Sequence, residues 1–195
     1  MTTHDRHIGH GMPHLSYWLL PSATDRAFFQ DIINALASTY EAPDFEPHVT
    51  LYSGAYSPQD NPEANLQLAT NGIQHVRLRV ETILYSDAFT KTLFVQFHPS
   101  PILAKISETL RNAVAVPSGY LLNPHLSLIY KQMSLETKQH LASSLHLPQS
   151  EISFDEVGAV MSSGSTQSPE DVERWDTVYR KKLPGNTQAF TASCR

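Results

Sequence analysis

The chain of 195 residues predicts an α+β fold with two pseudo-symmetric lobes, in which antiparallel sheets form a central cleft and helices pack outside. Three observations predict this fold. Predicted strands alternate with predicted helices. The order strand, helix, strand occurs twice. The last strand of each unit opens with nearly the same residues, Pro47-His48-Val49-Thr50-Leu51-Tyr52 in the first and Pro124-His125-Leu126-Ser127-Leu128-Ile129-Tyr130 in the second.

The first unit follows a polar segment rich in His and Gly, residues 1–14, which we expect to be a flexible tail. An aromatic-rich apolar run over 15–20, stopped by Pro21, predicts a strand. Apolar residues at helical spacing over 24–40, behind a Ser or Thr cap, predict a helix. A loop then leads into the strand that carries His48.

The second unit begins after a short predicted helix over 62–70. Two runs of strand-forming residues, 75–85 and 92–98, predict a pair of strands. Pro101 is suited to the first turn of a helix, and the apolar residues that follow it are spaced as in an amphipathic helix. A loop then leads into the strand that carries His125.

The C-terminal part predicts a third helix capped by Ser134 and a strand over 152–161. A Ser/Gly-rich loop over 162–171 and a final alternating strand over 175–183 follow. We expect one domain, residues 15–183, between the N-terminal tail and a second tail over 184–195.

The two repeated segments place an imidazole and a hydroxyl on the same strand face, because side chains two residues apart point the same way. His48 pairs in this way with Thr50, and His125 pairs with Ser127. Two such units face to face supply a general acid, a general base and two hydrogen-bond donors for a phosphate. This set is sufficient to hydrolyse a phosphodiester without a metal ion.

The pattern His-x-Ser/Thr alone is weak evidence, because it occurs at four of the ten histidines, His14, His48, His98 and His125. Pro99 follows His98 and interrupts a strand. His14 repeats the context of His125 letter for letter, but it lies next to the polar tail. The separation of 77 positions between His48 and His125 places each in its own lobe. We therefore expect those two to form the functional pair, with His14 outside it.

Composition narrows the possible functions. The net charge of −5 predicts no broad positive surface for long nucleic acids, although a small nucleotide or an RNA end needs only a local site. The single cysteine, Cys194, predicts a reducing compartment without disulfides. No apolar run reaches membrane-spanning length, and no secretory signal opens the chain. We expect a cytoplasmic monomer that does not contact membranes.

Further residues around the motifs carry a resemblance to a known family. His48-Val49-Thr50-Leu51 and His125-Leu126-Ser127-Leu128 match the paired tetrads of the 2H phosphoesterase superfamily. Tyr17-Trp18-Leu19-Leu20-Pro21 resembles the first strand of its cyclic nucleotide phosphodiesterases from plants and fungi. Tyr130 is similar to an aromatic residue that borders the substrate pocket in that branch, and Trp175 resembles a tryptophan before the closing strand.

The resemblance implies hydrolysis of 2′,3′-cyclic nucleotides to nucleoside 2′-phosphates, or of ADP-ribose 1″,2″-cyclic phosphate to ADP-ribose 1″-phosphate, with no cofactor and no metal. It implies His125 as the base that activates water and His48 as the acid that protonates the ribose oxygen. Thr50 and Ser127 would hold the phosphate, and Tyr130 would contact the substrate. The sequence alone does not decide which histidine is the acid.

Other functions remain open from the sequence. The same site is suited to RNA ends with cyclic phosphates or to RNA trimming, and a nucleotide-binding module without turnover is a third reading. Two intact motifs weigh against a pure binder. His7-Ile8-Gly9-His10 spells a nucleotidyl-transferase signature, but no strand precedes it. We interpret the histidines at 4, 7, 10 and 14 as an adventitious metal cluster at most.

Overall fold

The computed structural model describes residues 12–164 and 166–185, which form seven strands, five α-helices and a 3-10 turn at Phe89–Lys91. In chain order the elements are β1 (His14–Pro21), α1 (Ala23–Tyr40), β2 (Val49–Ala55), α2 (Pro62–Ala69), β3 (Val76–Tyr85), β4 (Leu93–Phe97), α3 (Pro101–Ala113), β5 (His125–Ile129), α4 (Leu135–Ser144), β6 (Glu151–Ser162), α5 (Pro169–Glu173) and β7 (Asp176–Lys182). The histidines at 4, 7 and 10, the signature at 7–10 and Cys194 lie outside the described residues.

The antiparallel strands pair in the order β1-β2-β5-β4-β3-β6-β7, and β6 also pairs with β1. Strand β1 pairs with β6 along its whole length. The motif strands β2 and β5, in contrast, pair only at Val49 and Leu126. The sheet therefore divides at this single pair into two parts that flank a cleft.

The side of the motif strands opposite the cleft builds the core. Val49 and Leu51 on β2, and Leu126 and Leu128 on β5, are fully buried. Burying one such side chain contributes about 1.5–3 kcal/mol to the free energy of folding. The alternation predicted from the two motifs is confirmed, and it leaves the intervening polar residues on the opposite face.

Helices α1 and α3 each pack against the motif strand that they do not immediately precede in the chain. Helix α1 precedes β2 in the chain, yet it packs against β5 and β1. Helix α3 precedes β5, yet it packs against β2 and α2. The buried side of α3 includes Leu103, Ile106 and Leu110, and Ser100 caps its first turn. Helix α1 therefore supports β5, and helix α3 supports β2.

The loop between α3 and β5 is attached to β2. The Ser118 N–H donates to the hydroxyl of Tyr52 at 2.6 Å, and the Ser118 hydroxyl donates to the carbonyl of Ser53 at 2.7 Å. The hydroxyl of Tyr120 donates to the carbonyl of Thr50 at 2.9 Å. A side chain at Gly54 would approach Cβ of Ser118 to 3.0 Å, so the absence of a side chain at Gly54 permits this contact.

The predicted order of strands and helices is confirmed, with two differences. Strand β1 begins at His14, so this residue belongs to the sheet and not to the predicted tail. The predicted loop over 162–171 contains the start of α5, whose first turn is fixed by Asp171 accepting the Ser168 N–H at 3.1 Å. Within the described ranges, no helix is long and apolar enough to cross a membrane.

Candidate active site

A cavity of about 630 Å³ opens where the two motif strands meet, which is within the size range of small-molecule sites. Each residue that the sequence singled out for the site lines this cavity: His48, Thr50, His125, Ser127 and Tyr130. The structure therefore brings the two motifs together, as the sequence predicted.

The strand register explains how the two motifs face each other. Val49 lies opposite Leu126 in an antiparallel pair. Extending this register by one residue in each direction sets His48 across from Ser127 and Thr50 across from His125. Because alternate residues share a face, the four polar side chains share the cleft face and are related by a local pseudo-two-fold axis.

Both imidazoles are oriented by the backbone in the same way. Nδ1 of His48 lies 2.7 Å from the carbonyl oxygen of Glu46, and Nδ1 of His125 lies 2.7 Å from the carbonyl oxygen of Asn123. A carbonyl oxygen only accepts, so Nδ1 carries the hydrogen and Nε2 of each neutral ring is left as a proton acceptor.

The repeated proline accounts for this shared geometry. Pro47 and Pro124 lie between each histidine and the carbonyl that holds it. Proline has a fixed φ and keeps the preceding residue extended. The same three-residue sequence pattern, X-Pro-His, therefore presents the carbonyl of X to the imidazole in both halves.

His48 is buried among aromatic rings. Its ring stacks on Trp18 with centroids 3.7 Å apart and planes 9° apart, and the edge of Trp175 lies 5.7 Å away. The pKa of His48 is lowered to about 4, mainly by burial and in part by the charge of His125. The backbone bond to Glu46 and the charge of its carboxylate oppose this shift.

His125 is partly exposed and has different neighbours. The ring of Phe94 makes an edge contact at 5.4 Å, and Nζ of Lys91 lies 4.5 Å from the centre of the same phenyl ring. Burial lowers the pKa of His125 to about 4, the bond to Asn123 opposes the shift, and the charge of Lys91 adds to it. Both histidines are therefore neutral at pH 7 when the cleft holds no ligand.

The two hydroxyls also differ. The hydroxyl of Ser127 donates to the carbonyl oxygen of Thr90 at 2.7 Å, in the segment that carries Lys91. Among the described residues, the hydroxyl of Thr50 has no hydrogen-bond partner. Thr50 is therefore free to donate to a ligand, whereas Ser127 must first release the Thr90 carbonyl.

Tyr130 lines the cavity next to other aromatic rings. Its ring is stacked on Phe45 at 3.9 Å and meets the edge of Trp175 at 5.9 Å. Burial raises the pKa of the Tyr130 phenol. Phe45 covers one face of the ring, and the phenol lies beside the Ser127 side chain, which opposes the rise of its pKa.

Several cavity residues were not predicted. His14 and Ser16 line the same cavity, although the sequence placed His14 outside the functional pair. Lys91 and Tyr120 also line it, and no local sequence pattern marked them. Of the lining residues that the structure describes, Lys91 is the one lysine or arginine, and none is Asp or Glu. The cavity therefore favours an anion although the chain is acidic overall.

In residues 12–164 and 166–185, no three His, Cys, Asp or Glu side chains come together in an arrangement that could hold a metal ion. The fourth His-x-Ser/Thr match, at His98, does not line the cavity. Among the four matches, three therefore share one cleft.

Comparison with known proteins identifies the family. Residues 12–173 match the family model described as cyclic phosphodiesterase-like protein. The cyclic phosphodiesterase of Arabidopsis thaliana is 26% identical over 166 residues, which cover 84% of this chain and 91% of the relative. Both matches span the two histidine motifs.

Solved structures show the shared fold. The E. coli protein LigT, crystallised with 3′-AMP, aligns with a TM-score of 0.53 and 16% identity over 88% of this chain and 98% of LigT. LigT crystallised with NADP+ gives 0.52 and 17% over the same shares. The protein TT0787 of Thermus thermophilus gives 0.55 and 13% over 89% and 99%. The fold is that of the 2H phosphoesterases. The chain thus belongs to the cyclic phosphodiesterase-like family of 2H phosphoesterases, and its enzymatic class is cyclic phosphodiesterase.

Proposed function

We propose that this protein hydrolyses small cyclic phosphates on ribose, without a metal ion or cofactor. The substrates are 2′,3′-cyclic nucleotides, opened to nucleoside 2′-phosphates, and ADP-ribose 1″,2″-cyclic phosphate, opened to ADP-ribose 1″-phosphate. The observation that supports this is the facing pair of imidazole and hydroxyl units in a cleft that favours anions. The 3′-AMP and NADP+ complexes of LigT support a nucleotide as the ligand.

The proposed reaction needs two proton transfers. Nε2 of neutral His125 takes a proton from water as the water oxygen forms a bond to phosphorus. The bond from phosphorus to the 3′-oxygen breaks, and Nε2–H of protonated His48 gives its proton to that oxygen. Each such transfer contributes about 10²–10⁴-fold to the rate. After turnover His125 is protonated and His48 is neutral, so exchange with solvent resets the pair.

The surroundings of the two rings support this division of roles. When His125 is neutral, as a base must be, its charge does not act on His48, and the carboxylate of Glu46 then favours the protonated form of His48. The cation at Lys91 disfavours the protonated form of His125. A general acid must hold a proton before the reaction and a general base must not. Charge therefore favours His48 as the acid and His125 as the base. A bound phosphate anion raises the pKa of both rings and helps to protonate His48.

The remaining groups are proposed to hold the phosphate. The free hydroxyl of Thr50 donates to one non-bridging oxygen, and Ser127 donates to another after leaving the Thr90 carbonyl. The Lys91 ammonium lies on the side of His125 and balances the charge that develops on phosphorus. The Tyr130 hydroxyl contacts the substrate from the aromatic side. Together these groups fix the phosphorus in line with the attacking water.

The test is to incubate the protein with 2′,3′-cyclic AMP in EDTA and to identify the product by chromatography. We expect adenosine 2′-phosphate from the wild type. We expect a loss of about 10²–10⁴-fold in kcat/KM for His48→Asn and for His125→Asn. Asparagine is chosen because its amide can keep the hydrogen bond to the backbone carbonyl that holds each imidazole. His98→Asn, a His-x-Ser match outside the cavity, is the matched control and should leave kcat/KM unchanged.

Turnover that survives the loss of either cleft histidine would contradict the two-histidine mechanism. Activity that disappears in EDTA and returns with a divalent cation would contradict metal independence. Cleavage of an RNA with a cyclic end, without turnover of either small substrate, would replace this proposal by the RNA-end reading.

A further inference from the structure

The third His-x-Ser unit, His14-Leu15-Ser16, lies in the same cleft as the two catalytic motifs. His14, Ser16 and Trp18 alternate along β1 on the cavity side, whereas Leu15 and Tyr17 are buried in the core. Trp18 is the ring on which His48 stacks. One strand face therefore leads from the catalytic histidine to the third unit.

The pairing of β1 with its two neighbouring strands defines three rows of residues across this face. Trp18 lies opposite Thr50, and Ser16 lies opposite Ser53. His14 lies opposite Ser162 on the other neighbouring strand. With about 3.4 Å per residue, the Ser16 row lies about 7 Å, and the His14 row about 14 Å, from the row of Trp18.

The outer two rows offer hydrogen-bond donors to an anion. The Ser16 and Ser53 hydroxyls lie 2.8 Å apart, so one donates to the other and the second keeps a free hydrogen. Nδ1 of His14 lies 3.2 Å from the carbonyl oxygen of Met12, so its hydrogen points to that oxygen. Nε2 of the neutral ring is an acceptor, and it becomes a donor to an anion when the ring takes up a second proton. No carboxylate lies among the described cavity residues to repel an anion there.

The position of these rows matches a second phosphate on the substrate. A ribose with a cyclic phosphate on one face carries its 5-carbon on the opposite face, and a phosphate on that carbon is several bonds from the cyclic phosphorus. If the cyclic phosphate lies between His48 and His125 and the 5-carbon is directed along β1, such a group would pass Trp18 and meet the next row. The free hydrogen of the serine pair can then donate to it, and so can Nε2 of His14 when the ring carries a hydrogen on both nitrogens.

We propose that His14, Ser16 and Ser53 form a second anion subsite, here called the β1 subsite, for a phosphate or diphosphate on the 5-carbon of the ribose. This inference rests on the proposed function, and it narrows the substrates to small cyclic phosphates with a second anionic group. ADP-ribose 1″,2″-cyclic phosphate carries such a diphosphate, whereas a cyclic mononucleotide with a free 5′-hydroxyl does not. The low number of basic residues in the chain favours a small substrate over RNA.

The test compares adenosine 2′,3′-cyclic phosphate with and without a 5′-phosphate, using the ratio of their kcat/KM values. We expect the wild type to favour the 5′-phosphorylated substrate. We expect His14→Leu to lower the ratio by roughly tenfold, and Ser16→Ala to lower it by a smaller factor. His98→Leu is the matched control, since it removes a histidine of the same motif outside the cavity, and it should leave the ratio unchanged.

The outcomes separate the subsite from the proposed function. Turnover of both substrates with a ratio near one, unchanged by His14→Leu, would overturn the β1 subsite and leave the proposed function standing. No turnover of either substrate by the wild type would overturn the proposed function, and the subsite with it. An RNA oligonucleotide with a cyclic end that is cleaved with higher kcat/KM than the 5′-phosphorylated mononucleotide would overturn the assignment to a small ligand.

Discussion

His48 and His125 are held alike by the backbone, yet His48 lies between aromatic rings and His125 lies beside a cation. Both rings donate Nδ1–H to a carbonyl two residues earlier, at the same distance of 2.7 Å. His48 is stacked on Trp18 and is 7% exposed, whereas His125 makes a T-shaped contact with Phe94 and has the charge of Lys91 nearby.

Local sequence and tertiary packing therefore contribute different parts of the site. The repeated X-Pro-His sequence gives two equivalent histidines with the same tautomer. The neighbours come from distant parts of the chain and make the two histidines unequal.

The largest effect on kcat is expected from the two histidines, which are proposed to divide the acid and base roles. His48→Asn removes the acid, so its residual activity needs only neutral His125 and should fall as the pH decreases and reach a plateau as it rises. His125→Asn removes the base, so its residual activity needs protonated His48 and should fall as the pH rises. Profiles of kcat against pH for both variants check this. The same direction of pH dependence in both variants, or the two directions exchanged, would contradict the assignment.

The second prediction concerns the protonation of the free and bound protein. Burial lowers the pKa of both histidines to about 4, so NMR titration of the ligand-free protein should give midpoints near 4. Inorganic phosphate in the cleft should raise both midpoints, because an anion favours the charged ring. Midpoints near 6.5 without ligand would show that the rings are not desolvated as described.

The lowered pKa values of the two histidines also make the free energy of unfolding depend on pH. The folded protein binds these two protons more weakly than the unfolded chain, so the stability that the neutral rings contribute is full above pH 6.5 and is lost as the pH falls towards 4. His48→Asn removes one of the two groups. Its free energy of unfolding should therefore fall less than that of the wild type between pH 6.5 and 4, as measured by denaturant titration. An equal decrease in both proteins would contradict this coupling.

The third prediction compares the two hydroxyls. Valine has nearly the shape of threonine but lacks the hydroxyl, so Thr50→Val removes only a free hydrogen-bond donor. It should lower kcat/KM by roughly tenfold without a change in stability. Ser127→Ala also removes the bond to the Thr90 carbonyl, so it should lower both kcat/KM and the free energy of unfolding, the latter by about 1 kcal/mol. Thermal and denaturant unfolding of the two variants distinguishes them. Equal stability of Ser127→Ala and the wild type would show that the Thr90 bond contributes nothing.

The smallest effects come from the charges beside each ring. Lys91→Met should raise the pKa of His125 and leave that of His48 nearly unchanged. Glu46→Gln should lower the pKa of His48, and it should also weaken the ion pairs with Arg26 at 3.2 Å and with Arg180. Both shifts should be smaller than the shift due to burial, which is the largest cause in each case. NMR titration of the variants checks the sign, and a shift of the wrong histidine would contradict the placement of these charges.

Much of this structure could be predicted from the sequence because its signals are local. Alternation within the motifs predicted β2 and β5, helical spacing predicted α1 and α3, and the structure brings His48 and His125 into one cleft. The first turn of α5 was missed although Ser168 and Asp171 carry a capping-box pattern.

The remainder depends on contacts between distant residues. Nothing near Lys91 in the chain indicates that it lies beside His125, because β4 and β5 bring them together. His14 was assigned to the tail because its neighbours are polar, but β1 pairs with both β2 and β6, and these pairings extend the strand to His14. The letter-for-letter repeat of the second motif was the signal that could have included it.

The exchange of helices between the halves has a consequence for how this protein can be taken apart. Because α1 covers β5 and α3 covers β2, a fragment ending near Gly72 would keep one motif strand but lose the helix behind it. A protease cut in that exposed turn should therefore leave two pieces that stay associated, and activity should require both. Splitting the gene at this turn would give a reporter whose signal depends on the reassembly of the two fragments.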